Sequence, residues 1–339
     1  MANKALKLSR DTGWLVFIIG TAIALYAARY FYLDQHLSWE LNASLLPPNR
    51  HTITSPSPPP AAFRASASLL PGEADASRLP TSLECLFYDP PRFARSVREA
   101  SPYPLTTPLL AGVVPHHLVA DRYIASFFAT VAETAEAYTS VLLLGPNHSG
   151  KTVPLVTSQA GFNTPYGYLA NNIPLTQGLL EHPQLKVAHN PALIQEDHSL
   201  AALVPYVKYY LPQVTLGTLL LSNDLSLQEC FILAQHLAQL EETLVVASID
   251  FSHYLTPQEA AMRDLVTLKA IKQWDYPTIS QFTDAHVDSP ESLITILYLA
   301  ELHHVPNLEL WEHSEASLLE NAPLPQGTTS YFILAAPRP

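Results

Sequence analysis

From about Thr107 onward the chain alternates short, uninterrupted apolar runs with longer stretches of helical period. Residues 109–115, 141–144, 214–221 and 244–249 are apolar apart from Thr215, Thr218 and Ser248, and the second is ended by Gly145-Pro146. Residues 154–158, 308–312 and 330–335 read as further, shorter strands. Residues 118–138, 197–211, 225–240, 257–273 and 290–303 carry the spacing of amphipathic helices, and 161–172 reads as a turn-rich loop. Strands apolar on both faces must be covered on both faces. Their alternation with helices therefore predicts one α/β domain, residues 84–339, with a mixed, largely parallel sheet flanked by helices.

The N-terminal part has a different texture. Residues 14–33, WLVFIIGTAIALYAARYFYL, are interrupted only by Arg29. About 20 apolar residues suffice to span a bilayer. Lys4, Lys7 and Arg10 precede the run, which places residues 1–13 in the cytoplasm by the positive-inside rule. Arg29 can snorkel, and Tyr26, Tyr30, Tyr32 and Trp39 suit the outer interface. The competing reading is a cleaved signal peptide, with Ala22, Ala24, Ala27 and Ala28 as small residues for a cleavage site. Either reading predicts an extracytoplasmic main domain, tethered to the membrane in the first case. Residues 34–83, with the stretch SPSPPPAAF, read as a Pro/Ser/Ala-rich linker that builds no core.

Composition narrows the function. Hydrophobic residues make up 48% of the chain, enough for a large core, and 18 basic against 30 acidic residues leave a net charge of −12. Such a surface repels phosphate backbones and argues against nucleic acid and against broad contact with anionic lipid. Cys85 and Cys230 form no CxxC pair. Sequence leaves a Cys85–Cys230 disulfide open, and Cys230 reads as a small core residue on a helix.

Three strong strand runs end in histidine: GVVPHH (His116, His117), VLLLGPNH (His148) and LVVASIDFSH (Asp250, His253). Ligands of open α/β sheets bind beyond the carboxyl ends of strands, so these residues should share one crevice. EDHSL (Glu196, Asp197, His198) and HVDSPES (His286, Asp288, Glu291) add two clusters beside predicted helices. Histidine and carboxylate from separate segments suit a first-row metal. Each residue also has a plainer role. His116 and His117 should point opposite ways, so one of them faces the site. His148 could be a turn residue. Asp197 with Ser199 could cap a helix, Asp250 could make an Asx-turn, and Asp288 could cap the helix starting near Pro290. His286 reads as a solvated loop residue; His303, His304 and His313 read as structural. The joint pattern is what favours a site.

In order and spacing, VVPHH, LLGPNH, NTPYGYL, EDHSLAALVPY, SIDFSHY and TTSYFIL resemble the Memo family, also called AmmeMemoRadiSam system protein B. The resemblance spans about Thr107 to Ala336. The family is similar in fold to class III extradiol dioxygenases of the LigB type. That likeness implies a non-haem metal held by His116, His148 and a third ligand. Where animal members place a cysteine, this chain has Asp288, with Glu291 as the competing assignment. His253 would match the acid–base histidine, oriented by Asp250, and His198 would line the pocket. The implied metal is divalent, Fe(II) first, with Cu or Zn as alternatives. The implied partners are an unspecified small-molecule substrate and the other proteins of an AmmeMemoRadiSam-type system. Three functions follow: dioxygenase-like redox chemistry, a metal- or partner-binding module without turnover, or zinc-dependent hydrolysis.

Overall fold

The computed structural model describes residues 82–149, 153–322 and 324–339. The strands are β1 (Ser82–Glu84), β2 (Leu109–Val114), β3 (Ser140–Pro146), β4 (Leu155–Thr157), β5 (Gly161–Thr164), β6 (Gly167–Leu169), β7 (Val187–His189), β8 (Thr215–Leu221), β9 (Thr243–Ser248), β10 (Phe251–Leu255), β11 (Glu309–Glu315) and β12 (Thr328–Pro337). The helices are α1 (Pro90–Glu99), α2 (Asp121–Ala132), α3 (Ile173–Leu180), α4 (Pro191–Glu196), α5 (His198–Ala201), α6 (Val204–Tyr210), α7 (Leu227–Leu237), α8 (Pro257–Lys272), α9 (Tyr276–Ile279), α10 (Pro290–Leu302) and α11 (Ala316–Leu319).

The four apolar runs form the middle of a nine-stranded sheet, in the order β10-β12-β2-β9-β3-β8-β4-β7, with β11 on β12. β2, β9, β3 and β8 are mutually parallel. Antiparallel pairs flank them, β12 on β2 and β4 on β8, so the sheet is mixed as expected. β3 shows why these runs are apolar throughout. Val141 and Leu143 face a core with α2 and α6, whereas Leu142 and Leu144 face a second core with α7 and α10. Each such buried Leu or Val contributes roughly 1.5–3 kcal/mol. Cys230 sits in the second core, and both cysteines are free thiols.

Several expectations are corrected. Residues 161–169 are not a loop but a hairpin, β5–β6, completed by β1 into a three-stranded sheet. Its turn residues suggested a loop because they make the reversal: Gly167 has φ +108°, and the Thr164 hydroxyl donates to the Gly167 carbonyl at 2.7 Å. The span expected as one helix over 197–211 is two, α5 and α6, with Pro205 in the first turn of the second. The expected membrane-crossing helix is also corrected. Among the described residues no helix is long and apolar enough to cross a membrane. The run at 14–33 and most of the linker lie outside the described residues. The membrane-anchored, extracytoplasmic placement rested on that run and is withdrawn with it.

Candidate metal centre

The parallel strands deliver their carboxyl ends to one edge, and the candidate residues leave from there. Val114 pairs with Ser248, and the Ile249 N–H donates to the Val114 carbonyl at 2.8 Å. β2 and β9 therefore release their next residues side by side, and the His116 N–H donates to Asp250 Oδ1 at 3.1 Å. β3 runs on into Asn147-His148. His116, His148, His198, Asp250, His253 and Asp288 all line one cavity of about 710 Å³.

His116 is the centre of this arrangement. Its Nε2 lies 3.5 Å from both Asp250 Oδ2 and Asp288 Oδ2. Its ring lies 5.0 Å from His198 and 5.5 Å from His148, and those two rings stack at 4.3 Å. Two groups bring three ligand atoms within 4.8 Å of one another: His116 with His148 and His198, and His116 with Asp250 and Asp288. The expected trio is neither of these groups: His148 and Asp288 each share one with His116 but not with each other.

The two carboxylates are locked by backbone. The Asp250 N–H donates to Asp288 Oδ2 at 3.2 Å, and the Asp288 N–H donates to the Asp250 carbonyl at 3.1 Å. The N-cap of α10 is Ser289, so Asp288 does not have the capping role. Glu291 is buried on α10 outside the cavity wall, with Asp224 among its charged neighbours.

His148 is held by Asp197. Its Nδ1 lies 3.1 Å from Asp197 Oδ1, and its backbone N–H donates to Asp197 Oδ2 at 3.0 Å. Asp197 also accepts from the Ser199 N–H and hydroxyl, so it caps α5 and positions the histidine together. Burial pushes the Asp197 carboxyl up, but the bonds from His148 and Ser199 outweigh it and hold the group below its ordinary range.

Burial, reinforced by His198 and His148, holds His116 well below the ordinary imidazole value, so it is neutral and able to ligate. Burial and the facing Asp250 push Asp288 well above the carboxylate range, and burial raises Asp250 as well. A neutral imidazole beside two buried carboxyl groups is a site that gains from a cation. His116 Nδ1 and Asp288 Oδ1 are buried without any hydrogen-bond partner. The donor set is the imidazole-and-carboxylate mixture that first-row metals take, and the residues fit a metal.

His253 lies in β10 rather than past a strand end. Its N–H donates to the Asp284 carbonyl at 2.7 Å, and its ring Nδ1 faces that oxygen at 3.3 Å. A carbonyl only accepts, so Nδ1 carries the proton and Nε2 is the free nitrogen. His253 is a charged neighbour that lowers the Asp250 carboxyl against the burial that raises it, whereas the ring's hydrogen-bond partner is the Asp284 carbonyl. His117 also reaches the cavity and is hydrogen-bonded to the buried Tyr331 hydroxyl at 2.6 Å. Sequence reasoning missed Asp284, Tyr331 and Phe87, the last lying 5.9 Å from the His198 ring. Only Tyr331 stood within a noted motif, TTSYFIL.

A family model described as Memo-like protein matches residues 96–322. A MEMO1 family protein of Aquifex aeolicus is 26% identical over 166 residues, 48% of this chain and 60% of the relative. A second, from Methanococcus maripaludis, is 24% identical over 53% of this chain and 65% of the relative. A third, from Caldivirga maquilingensis, is 22% identical over 66% of this chain and 80% of the relative. The chain thus spans under two thirds of the length of the first two. A crystal structure of an uncharacterized Escherichia coli K12 protein overlaps 67% of this chain and 99% of its own, at 14% identity and a TM-score of 0.47, a likeness that carries no argument. The family match extends over two thirds of the chain and embraces every one of these cavity groups except Phe87 and those carried by β12 and the turn before it, and on that ground the chain belongs to the Memo-like protein family.

Proposed function

We propose that this Memo-family protein holds one divalent metal through His116, His148 and Asp288 and performs dioxygenase-like redox chemistry on a small molecule. The observation that carries the reading is one cavity lined by His116, His148 and Asp288, in which His116 Nδ1 and Asp288 Oδ1 have no hydrogen-bond partner and His148 is already oriented by a carboxylate. Two imidazoles and a carboxylate favour Fe(II), with Cu or Zn as alternatives. When bound, the metal supplies Lewis acidity and one-electron chemistry at the cavity floor. Asp197 fixes the ring plane and tautomer of His148, as outer-shell carboxylates do for ligating histidines. His253 presents Nε2 to take a proton from the substrate or return it. His198, stacked on His148, lines the pocket and polarises what binds there.

A second reading rests on the three imidazoles of His116, His148 and His198, whose ligand atoms lie within 4.8 Å of one another. A three-histidine set suits zinc and hydrolysis. The deciding experiment is metal analysis of anaerobically purified protein, followed by O₂ uptake with a panel of small aromatic and thiol substrates. Iron with substrate-dependent O₂ uptake supports the redox reading. Zinc with ester or amide cleavage supports the second. A tightly held metal with neither activity overturns both and leaves a metal-binding module of an AmmeMemoRadiSam-type system.

A further inference from the structure

The backbone around His253 is strained in a way its sequence does not require. Ser252 has φ +39° and Tyr254 has φ +57°, so non-glycine residues in the left-handed region flank the histidine on both sides. That conformation is unfavourable for any residue with a Cβ and persists only where the surroundings hold it. Tyr254 is largely exposed and has no buried anchor, but Ser252 is fully buried. Its hydroxyl donates to Asp264 Oδ1 at 2.6 Å.

Asp264 lies on α8, is itself buried, and lines no part of the cavity. Its Oδ1 also accepts from the Ser330 hydroxyl at 2.6 Å, and its Oδ2 lies 2.8 Å from His313 Nε2. One carboxylate thus ties α8 to β10, β11 and β12. Ser330 immediately precedes Tyr331, the residue that holds His117. Where β12 begins beside β10, Gly327 has φ +88°, and a Cβ there would stand 2.6 Å from the Tyr254 carbonyl carbon. The backbone of β10 is held here by the Ser252 N–H on the His286 carbonyl at 3.2 Å and the His253 N–H on the Asp284 carbonyl at 2.7 Å, and the buried side-chain contact of Ser252 is Asp264.

We propose that Asp264 is the positioning residue of His253: by holding the Ser252 hydroxyl it keeps β10 left-handed at that point and keeps the His253 ring against the Asp284 carbonyl with Nε2 free. This rests on the reading of His253 as the acid–base group, but the arrangement of the ring can be read without turnover.

The test is ¹⁵N NMR of histidine-labelled protein, in which ring nitrogens with and without a proton are resolved, with His253→Gln used to assign the signal. The parent protein should show His253 as the Nδ1–H tautomer. Ser252→Ala and Asp264→Ala should lose that signature, the ring averaging between tautomers, with metal content unchanged. Asp264→Asn retains Oδ1 for both serines, and its amide can donate to a His313 tautomer that accepts, so the signature should return. In Asp264→Ala/Ser252→Gly, glycine adopts the left-handed conformation without assistance, and the signature should return although the hydrogen bond is gone. A merely structural Asp264 would shift melting temperature in all four variants and leave the His253 tautomer alone. An unchanged tautomer in folded Ser252→Ala and Asp264→Ala overturns the proposal, as does failure of Ser252→Gly to restore it. Should Asp264→Ala not fold, Ser252→Ala and Asp264→Asn decide between them. If the signature behaves as stated while His253→Ala keeps full turnover, the positioning stands and the acid–base reading falls.

Discussion

His148 is bonded twice by one side chain: Asp197 takes its ring Nδ1 at 3.1 Å and its backbone N–H at 3.0 Å. The carboxylate fixes both the ring and the peptide that carries it, and engages Nδ1, so that Nε2 is the ring nitrogen left to ligate. Asp197→Ala should weaken metal affinity 10–100-fold, the range for loss of an outer-shell partner. It should also lower stability, since a helix cap worth about 1 kcal/mol is lost with it. Metal titration alongside a thermal melt separates the two effects; a lowered melting temperature with full metal affinity would leave Asp197 a cap alone.

His116, His148 and Asp288 should be equivalent in a metal titration. Alanine at any one should nearly abolish binding, whereas His198→Ala should leave most of the affinity. The reverse ranking, with His198 essential and Asp288 dispensable, would select the three-histidine set. Asp288→Cys should keep a metal but shift preference toward softer ions such as Cu(I) or Zn, because thiolate is the softer ligand.

His253→Ala should retain the metal while turnover falls about 10²–10⁴-fold, the usual loss for a general acid–base group. Measuring metal content and rate on the same preparation checks this. Loss of metal in that variant would make His253 a ligand.

Glu291 gives a pH signature separate from the metal centre. Burial, with a smaller push from Asp224, raises its carboxyl from 4.5 to about 7. The folded protein therefore keeps this proton after the unfolded chain has lost it. Stability relative to an uncharged side chain is full below about pH 4.5 and falls as pH rises through about 7. At about 1.4 kcal/mol per pH unit, the loss is on the order of 3 kcal/mol. Glu291→Gln should match the parent at pH 4 and exceed it at pH 8 in denaturant midpoint. Equal midpoints at pH 8 would mean that the carboxyl titrates normally.

What the sequence determined by itself is what repeats along the chain. Runs such as LVVAS and VLLL are apolar on both faces because β9 and β3 are covered on both, and parallel strands send their ends to one edge. The fold class, the strands that form the middle of the sheet, and the gathering of His116, His148, Asp250 and His253 were legible for that reason. Only the tertiary structure decided the pairings. Asp197 reads as a helix cap in sequence and becomes the holder of His148 when β3 and α5 meet. Asp288 reads equally as cap or ligand until Ser289 takes the cap and Asp250 takes its backbone. The hairpin β5–β6 hid among turn residues, and β10 among residues that suggested an Asx-turn, because the left-handed backbone found at Ser252 and Tyr254 is one that serine and tyrosine do not favour. Local sequence carries periodicity and turn chemistry. Which buried carboxylate meets which histidine depends on segments far apart in the chain, and no local pattern encodes it.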